Sequence, residues 1–253
     1  MKMLLRVKIF LVWIVFIYPL ILLAFPQQAE IQQIQNNLVG KSIGERIAFW
    51  AEKFVGTPYD EDPQGTYVTR KAIVADDRVD CMYLVFRSVE LALSSSPEQA
   101  IQIALEKRFH TQGIISNGQV INYEDRLAYG EDLIFSGKWG QEVTRQIGQT
   151  VFIKGLRGKD LWAILPPDKL LAGSKNLRTG DLIFFVKYPE QRLKDEGVGH
   201  MGIVKIEGKN DQAKIFLIHA SGLKNKGGAV KKVPLAEYLA HMPFRGVMVT
   251  RFE

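Results

Sequence analysis

The amino-acid sequence predicts an α+β fold, with helices in the first part of the chain and an antiparallel sheet in the last part. Apolar residues recur at helical spacing in residues 43–54 and 81–93. After the pair Pro166-Pro167 the pattern changes to short apolar or alternating runs separated by turn-forming residues. Helices followed by strands are typical of α+β domains. A chain of 253 residues, 47% of them hydrophobic, can bury a core and is not expected to be disordered.

The first 25 residues differ in character from the rest of the chain. Residues 1–8 carry three basic side chains and no acidic one, and residues 9–25 are uncharged and apolar apart from Pro19. This pattern predicts a signal peptide or an uncleaved N-terminal membrane anchor at residues 1–25. We therefore expect an exported protein of the periplasm or cell envelope, either released or tethered to the membrane through this segment.

The net charge also distinguishes residues 1–25 from the rest of the chain. The formal charge of the whole chain is +6, which by itself favours nucleic acid as a partner. Three of the 33 basic residues and none of the 27 acidic residues lie in residues 1–25, so the remainder carries only +3. We therefore expect no nucleic-acid partner.

The N-terminal half reads as helices joined by turns. Residues 26–42 are polar and predict a linker or a short helix. The apolar spacing of residues 43–54 predicts an amphipathic helix that ends before Pro58, since proline disfavours helical geometry at the residue before it. Residues 60–79 predict a loop or an irregular hairpin.

A second, buried helix is predicted to begin at Cys81, with Asp80 as its N-cap. Pro97 is expected to start another helix that runs to about residue 107. Three weaker segments follow: turns at residues 110–122, a helix at 123–136 and a short strand at 151–154.

The C-terminal part predicts an antiparallel meander. Its five runs lie at residues 181–188, 200–207, 214–220, 230–233 and 246–252. Pro234 is expected to open a short helix that ends near His241. We take residues 43–253 as one domain, with a helical insertion at about residues 95–175.

The single cysteine is the first candidate for chemistry. One cysteine allows no internal disulfide, and in an exported protein it is buried, paired between chains or reactive. Cys81 is predicted at a helix N-terminus, where unpaired backbone N–H groups and the helix dipole favour a thiolate. This position favours a nucleophile over an inert core cysteine.

Two of the four histidines are candidates for its partner. His200 begins one predicted strand and His219 ends the next. If these strands pair through a turn at residues 208–211, the two histidines become neighbours. His110 and His241 are expected to be surface or capping residues.

Five short motifs, taken together in this order, resemble the papain-like cysteine hydrolases of bacterial cell walls, the NlpC-type superfamily. They are Phe-Val-Gly-Thr-Pro-Tyr at residues 54–59, Asp80-Cys81, Thr-Gly-Asp-Leu-Ile-Phe-Phe at 179–185, Gly-His-Met-Gly-Ile-Val at 199–204 and Ile-His-Ala-Ser at 218–221. The long segment between Cys81 and His200, with Arg-Leu-Ala-Tyr at 126–129, resembles the N-acetylmuramoyl-L-alanine amidase-like branch. Met82 departs from the short members, which often have a small residue after the nucleophile.

The resemblance implies a papain-like fold and an amide hydrolase that acts on peptidoglycan or muropeptide fragments. Cys81 would be the nucleophile, His200 the base and His219 the group that orients it. The resemblance favours an N-acetylmuramoyl-L-alanine amidase. A peptidoglycan peptide endopeptidase of the same superfamily and a non-catalytic peptidoglycan-binding module stay open as alternatives.

Further residues have a functional and a structural interpretation each. Tyr59 could assist the oxyanion site or pack in the core, and Asp80 could belong to the site as well as cap its helix. Arg126 could grip a substrate carboxylate or lie on a solvated face, and Tyr129 could contact substrate beside it. Sugar stacking is an alternative to core packing for Trp139 and Trp162.

A zinc site made of Cys81, His200 and His219 would use the same residues as the thiol site. The spacing of these residues matches no metal motif, because ligand pairs usually lie two to five residues apart. We therefore expect no metal and no cofactor.

Overall fold

The computed structural model describes residues 25–192, 196–208, 212–224 and 226–253. The predicted leader therefore lies outside the described residues except for Phe25, and the predicted turn at residues 208–211 lies outside them except for Gly208. Among the described residues, no helix combines the length and the hydropathy that a membrane crossing requires.

Helices occupy most of the N-terminal half and recur between and after the strands. They are α1 (Gln28–Asn37), α2 (Ile43–Lys53), α3 (Thr66–Thr69), α4 (Cys81–Leu93), α5 (Pro97–Lys107), α6 (Gly130–Ser136), α7 (Thr144–Ile147), α8 (Pro167–Ala172) and α9 (Leu235–His241). Short 3-10 turns lie at Tyr123–Asp125, Ser174–Asn176 and Pro189–Gln191.

The strands form one main sheet and two small pairs. They are β1 (Ile115–Ser116), β2 (Gln119–Val120), β3 (Gln141–Glu142), β4 (Val151–Lys154), β5 (Leu161–Ile164), β6 (Leu182–Val186), β7 (Val198–Glu207), β8 (Lys214–Leu223), β9 (Gly227–Pro234) and β10 (Gly246–Arg251).

The main sheet is antiparallel, with the order β3-β10-β6-β7-β8-β9. Strands β6 to β9 form the predicted meander, and β10 returns to the outer side of β6. The small pairs are β1 with β2 and β4 with β5, both within the insertion. The predicted α+β class is confirmed.

The sheet is buried on both faces, and each face belongs to its own apolar core. In β6, Leu182 and Phe184 join the core that contains α2 and α4, whereas Ile183 and Phe185 join the core that contains α7, α8 and α9. Side chains of a strand alternate between faces. Because both faces are covered, β6 is apolar throughout and not alternating in polarity.

Helix α4 lies in the middle of the first core, and every residue from 83 to 92 is buried. Its buried carboxylate, Glu90, is 0% exposed and accepts hydrogen bonds from Arg108 Nε and Nη2, both at 2.6 Å. Arg108, 2% exposed, also donates through Nη1 to the carbonyl oxygen of Ile73 at 2.9 Å. This pair fixes the end of α5 against the middle of α4.

The helix predicted at residues 123–136 is wrong as a continuous element. The chain forms a 3-10 turn and then α6, with extended backbone at Arg126 between them. Two interactions separate the segments. Leu127 N–H donates to the carbonyl of Arg108, and the Asp132 carboxylate accepts from the N–H groups of Ala128 and Tyr129. A carboxylate that accepts from backbone N–H groups in this way marks the start of a new helix, so α6 begins separately from the 3-10 turn.

Of the two polar stretches near the N-terminus, residues 26–42 contain a short helix, which was one of the two predictions for them, and residues 60–79 contain a helix where a loop or hairpin was predicted. Residues 28–37 form α1, whose Ile31 is buried and whose Gln35 donates to Ser94 Oγ at 2.6 Å. Within residues 60–79, the buried Asp60 accepts from the N–H and the hydroxyl of Thr66 at 2.6 and 2.7 Å and so holds α3.

We expect Glu90→Ala to lower the free energy of unfolding by about 3–5 kcal/mol, because it leaves the Arg108 guanidinium buried without its carboxylate. Urea denaturation followed by circular dichroism measures this loss. The double variant Glu90→Leu with Arg108→Met removes both charges and should recover most of it. Equal destabilisation of the single and double variants would contradict this interpretation.

Candidate active site

Cys81 is the first residue of α4 and lines a cleft of about 240 Å³ that is open to solvent. The other lining residues come from α4, from β7 with the residues before it, and from the insertion: Met82, Ala128, Tyr129, Gly130, Glu196, Val198, Gly199, His200 and Met201. A larger cavity of about 690 Å³ is bounded by α1, α5 and residues 56–58, and none of the predicted catalytic residues lines it. Of the two cavities, the smaller cleft is therefore the one that the predicted catalytic residues Cys81 and His200 line.

Asp80 caps the helix that carries the cysteine. Its Oδ1 accepts from the N–H of Tyr83 at 2.8 Å, as predicted for an N-cap. Its Oδ2 lies 3.4 Å from Nζ of Lys224, which also donates to the carbonyl of Asp60 at 3.0 Å. The cap thus fixes the first turn of α4 and ties it to the end of β8.

The structure brings His200 and His219 together. Nε2 of His200 lies 2.9 Å from Nδ1 of His219, with the two ring planes at 85°. The strand register pairs Ile203 of β7 with Ile218 of β8, which places both histidines at the same end of the two strands. His200 therefore reaches the cleft with one ring nitrogen already engaged by a second imidazole.

Aromatic side chains surround this imidazole pair. The His200 ring is stacked with Phe244 at 10° between ring planes and packs against Phe185, with centroid distances of 6.2 and 5.6 Å. Tyr238 of α9 packs edge-on against His219 at 4.8 Å. Sequence reasoning missed these three residues, because they come from elements that are far apart in the chain. Together they pack against both rings and cover most of their surface.

The aromatic surroundings determine the charge state of the histidines. Burial, with a smaller effect from His219, lowers the pKa of His200 to about 3. Burial, with a smaller effect from the positive charge of Lys231, lowers the pKa of His219 to about 4. Both imidazoles are therefore neutral at pH 7 in the ligand-free protein.

The thiol is also neutral at rest. Burial raises the pKa of the Cys81 thiol to about 12, and the Asp80 carboxylate adds to this effect. A hydrogen bond with the Met201 backbone N–H and the charge of Lys224 act in the opposite direction. Burial thus opposes the thiolate that the helix N-terminus was expected to favour.

Tyr59 lies next to the thiol. Residues 56–59 run along β9, where Tyr59 N–H donates to the carbonyl of Gly228 at 2.9 Å, and the ring packs against Gly222, where a Cβ would overlap it. Burial, and then the charges of Cys81 and Asp80, raise the pKa of Tyr59 above its usual value. Its hydroxyl therefore stays protonated and can donate a hydrogen bond.

The insertion forms another wall of the cleft, through the start of α6. The buried Glu131 accepts from the N–H groups of Gly197 and Val198 at 2.8 and 3.1 Å, just before His200. At Gly130 a Cβ would overlap the Val198 side chain, so glycine is required for this close approach. Sequence reasoning identified Tyr129 in this wall but missed Glu131, since an isolated acidic residue carries no pattern.

Several predicted candidates lie away from the cleft. Arg126 is absent from the lining and donates to the carbonyl of Tyr123 at 3.1 Å. Trp139 and Trp162 are 0% and 1% exposed and belong to the core, which excludes sugar stacking. His110 and His241 are exposed.

The zinc alternative requires three ligands around one point. Within the described ranges, no three side chains of His, Cys, Asp or Glu are grouped closely enough to hold a metal ion. Cys81 and His200 line the same cleft, and His200 contacts His219.

No protein-family model matches the chain, and no curated protein matches it. Solved structures with a similar fold do exist. Crystal structures of an N-acetylmuramoyl-L-alanine amidase from Bacteroides uniformis have TM-scores of 0.62 and 0.63 at 23% identity. The match covers 83% of this chain and 98–99% of theirs.

Two other similar structures have different names. A Legionella pneumophila protein of the DUF1460 family matches with a TM-score of 0.61 at 17% identity, over 88% of this chain and 93% of its own. A Bacteroides fragilis protein named as a candidate xylanase matches with a TM-score of 0.58 at 18% identity. This match covers 81% of this chain and 100% of the other. At such identities these similarities show a shared fold.

We expect the alkylation rate of Cys81 by iodoacetamide to rise roughly tenfold per pH unit between pH 7 and 10, because the thiolate is the reactive form and its pKa is raised to about 12. Intact-protein mass spectrometry measures the rate without ambiguity, since the chain has one cysteine. An unstructured peptide with one cysteine serves as the control, and its rate should level off above about pH 9.5, one unit above the pKa of a free cysteine. A plateau for the protein between pH 6 and 9 would instead show a resting ion pair.

Proposed function

We propose that this protein hydrolyses an amide bond of peptidoglycan or muropeptide fragments, with Cys81 as nucleophile, His200 as general base and acid, and His219 as the group that orients His200. One observation carries this proposal: the 2.9 Å contact between the two imidazoles, in the cleft that Cys81 lines. A thiol at a helix N-terminus, a base and a third group that orients the base are the components of nucleophilic catalysis.

In this proposal, the contact between the two imidazoles leaves one nitrogen of His200 for the chemistry. His200 uses Nε2 toward His219, so Nδ1 is the nitrogen available to the thiol. For Nδ1 to accept a proton, Nε2 must carry the hydrogen and donate it to Nδ1 of His219. His219 is then the acceptor, with its own hydrogen on Nε2. It fixes both the ring and the tautomer of His200.

In the acylation step, the Sγ–H proton of Cys81 passes to Nδ1 of His200 as sulfur attacks the amide carbonyl. The carbonyl oxygen becomes an oxyanion, which the backbone N–H groups at the start of α4 and the Tyr59 hydroxyl are proposed to stabilise. The C–N bond then breaks, His200 returns its proton to the leaving amine, and a thioester on Cys81 remains.

In the deacylation step, His200 takes a proton from water as the water oxygen attacks the thioester carbonyl. The C–S bond breaks and His200 gives its proton to sulfur, which restores the neutral thiol and releases a carboxylic acid. His200 thus acts alternately as base and acid. A neutral resting imidazole is suited to this cycle, because it must accept a proton first.

The bond that we propose is the amide between the lactyl carboxyl group of N-acetylmuramic acid and L-alanine. The name of the Bacteroides uniformis structures supports this choice, as does the resemblance carried by residues 126–129. The product would be a free muramic-acid carboxyl group and a peptide with a new N-terminal amine. Such substrates lie in the cell envelope, to which a leader at residues 1–25 would direct the protein.

We expect Cys81→Ala to abolish amine release from MurNAc-L-Ala-D-Glu while the thermal unfolding midpoint stays within a few degrees of the wild-type value. The variant lacks the atom that forms the thioester, but cysteine and alanine occupy a helix start equally well. Liquid chromatography with mass spectrometry identifies the products. His241→Ala, which changes an exposed histidine, is the matched control and should keep full activity.

Each result has a separate meaning. Full turnover by Cys81→Ala would refute the thiol mechanism. Cleavage within the peptide by the wild-type protein would identify an endopeptidase. Binding of intact sacculi without any new amine would identify a binding module.

We expect His219→Ala to lower kcat on the order of 100-fold, because His200 loses the acceptor that fixes its tautomer. His219→Asn should lose less, since its amide oxygen can still accept from Nε2 of His200. Steady-state kinetics of the two variants on one muropeptide test this order. Identical rates for the two variants would contradict the tautomer role and leave His219 as a packing residue.

A further inference from the structure

Arg157 does not itself line the cleft, but two contacts hold it beside the lining residue Tyr129. It lies in the turn between β4 and β5, with a left-handed backbone (φ 54°) that side-chain-bearing residues rarely adopt. Its guanidinium carbon lies 4.5 Å from the ring centroid of Tyr129, which lines the cleft. Its Nε donates to Oδ1 of Asp132 at 2.9 Å. The side chain is thus oriented by a stack and a charged hydrogen bond.

Asp132 joins this arginine to the cleft wall. The same carboxylate accepts through Oδ2 from the N–H groups of Ala128 and Tyr129, each at 3.1 Å. Ala128, Tyr129 and Gly130 all line the cleft. Arg157 and these three residues therefore form one unit that is held together by a single carboxylate.

The way Arg157 is held determines what it can still bind. Asp132 accepts from Nε, and Nη1 and Nη2 make no hydrogen bond to any described residue. The Arg157 side chain is 31% exposed, whereas the Asp132 side chain is 8% exposed. The two terminal nitrogens of a guanidinium form a planar fork that matches a carboxylate, with two parallel hydrogen bonds.

We propose that Arg157 is a specificity-determining residue that binds a carboxylate of the substrate at the insertion wall of the cleft. The proposal rests on the proposed function, for which a carboxylate of an acidic stem peptide is the corresponding group. It assigns to Arg157 the role that the sequence suggested for Arg126. Tyr129 orients the arginine in this arrangement.

The test compares two substrates that differ in one group. These are MurNAc-L-Ala-D-Glu, with a free α-carboxylate on its second residue, and the same compound with that group as a carboxamide. We expect Arg157→Met to raise KM about 10–100-fold for the carboxylate substrate with kcat little changed, and to leave the carboxamide substrate nearly unaffected. Arg157→Lys keeps the charge but loses the planar fork. Its KM for the carboxylate substrate should lie between those of the wild-type protein and Arg157→Met.

Arg145→Met is the matched control. Arg145 also stacks on an aromatic ring, that of Phe152 at 5.3 Å, and it is exposed and outside the cleft lining. The Arg145→Met variant should leave KM unchanged for both substrates. An equal change of Arg157→Met on both substrates, or no change on either, would overturn the proposal, provided that thermal unfolding shows the variant to be folded.

Binding separates this proposal from the proposed function. In the Cys81→Ala protein, calorimetry with the dipeptides L-Ala-D-Glu and L-Ala-D-isoglutamine should show tighter binding of the former, and Arg157→Met should remove the difference. That result would support the carboxylate site even if the wild-type protein cleaved no muropeptide. Cleavage by the wild-type protein without any preference for the carboxylate would refute the site and leave the hydrolase intact.

Discussion

The burial of α4 is the constraint on which the rest of the site depends. Its residues 83–92 all face protein, so the helix cannot turn or slide without exposing apolar surface or moving the Glu90 carboxylate away from Arg108. Its first residue is therefore fixed relative to β7 and β8, against which the helix packs. A nucleophile at the end of a buried helix needs little further support, because the core already holds it.

The same burial has an electrostatic consequence. Removing water from Cys81 and His200 disfavours the charged form of each, so the ligand-free site holds a thiol and a neutral imidazole. Aromatic rings around His200 and His219 strengthen this effect and also orient the rings. In the proposed mechanism, charge develops only during reaction, and Tyr59 and the N–H groups of α4 would stabilise it. Burial thus favours the proposed general-base mechanism over a preformed thiolate.

The sequence predicted the parts of the site that depend on local rules. An aspartate before an apolar run marked the start of α4, and the ends of two consecutive strands placed His200 near His219. It did not predict the break after residue 125, because that break depends on a hydrogen bond to the Arg108 carbonyl and on the hydrogen bonds that the Asp132 carboxylate accepts. The sequence did not predict the aromatic residues around the histidines for a similar reason, because they come from β6, from α9 and from the segment between α9 and β10. Contacts between residues that are far apart in the sequence produce no recognisable pattern in residue spacing.

The insertion is a structural part of the catalytic domain. Its strand β3 pairs with β10 of the main sheet, and its Glu131 binds the backbone N–H groups of Gly197 and Val198. Those N–H groups belong to the segment that leads directly into His200. The wall that would contact substrate and the strand that carries the base are therefore one rigid body. A ligand bound to this wall is positioned relative to the base by the same hydrogen bonds that position β7, so side chains on the insertion can change specificity without displacing the catalytic groups.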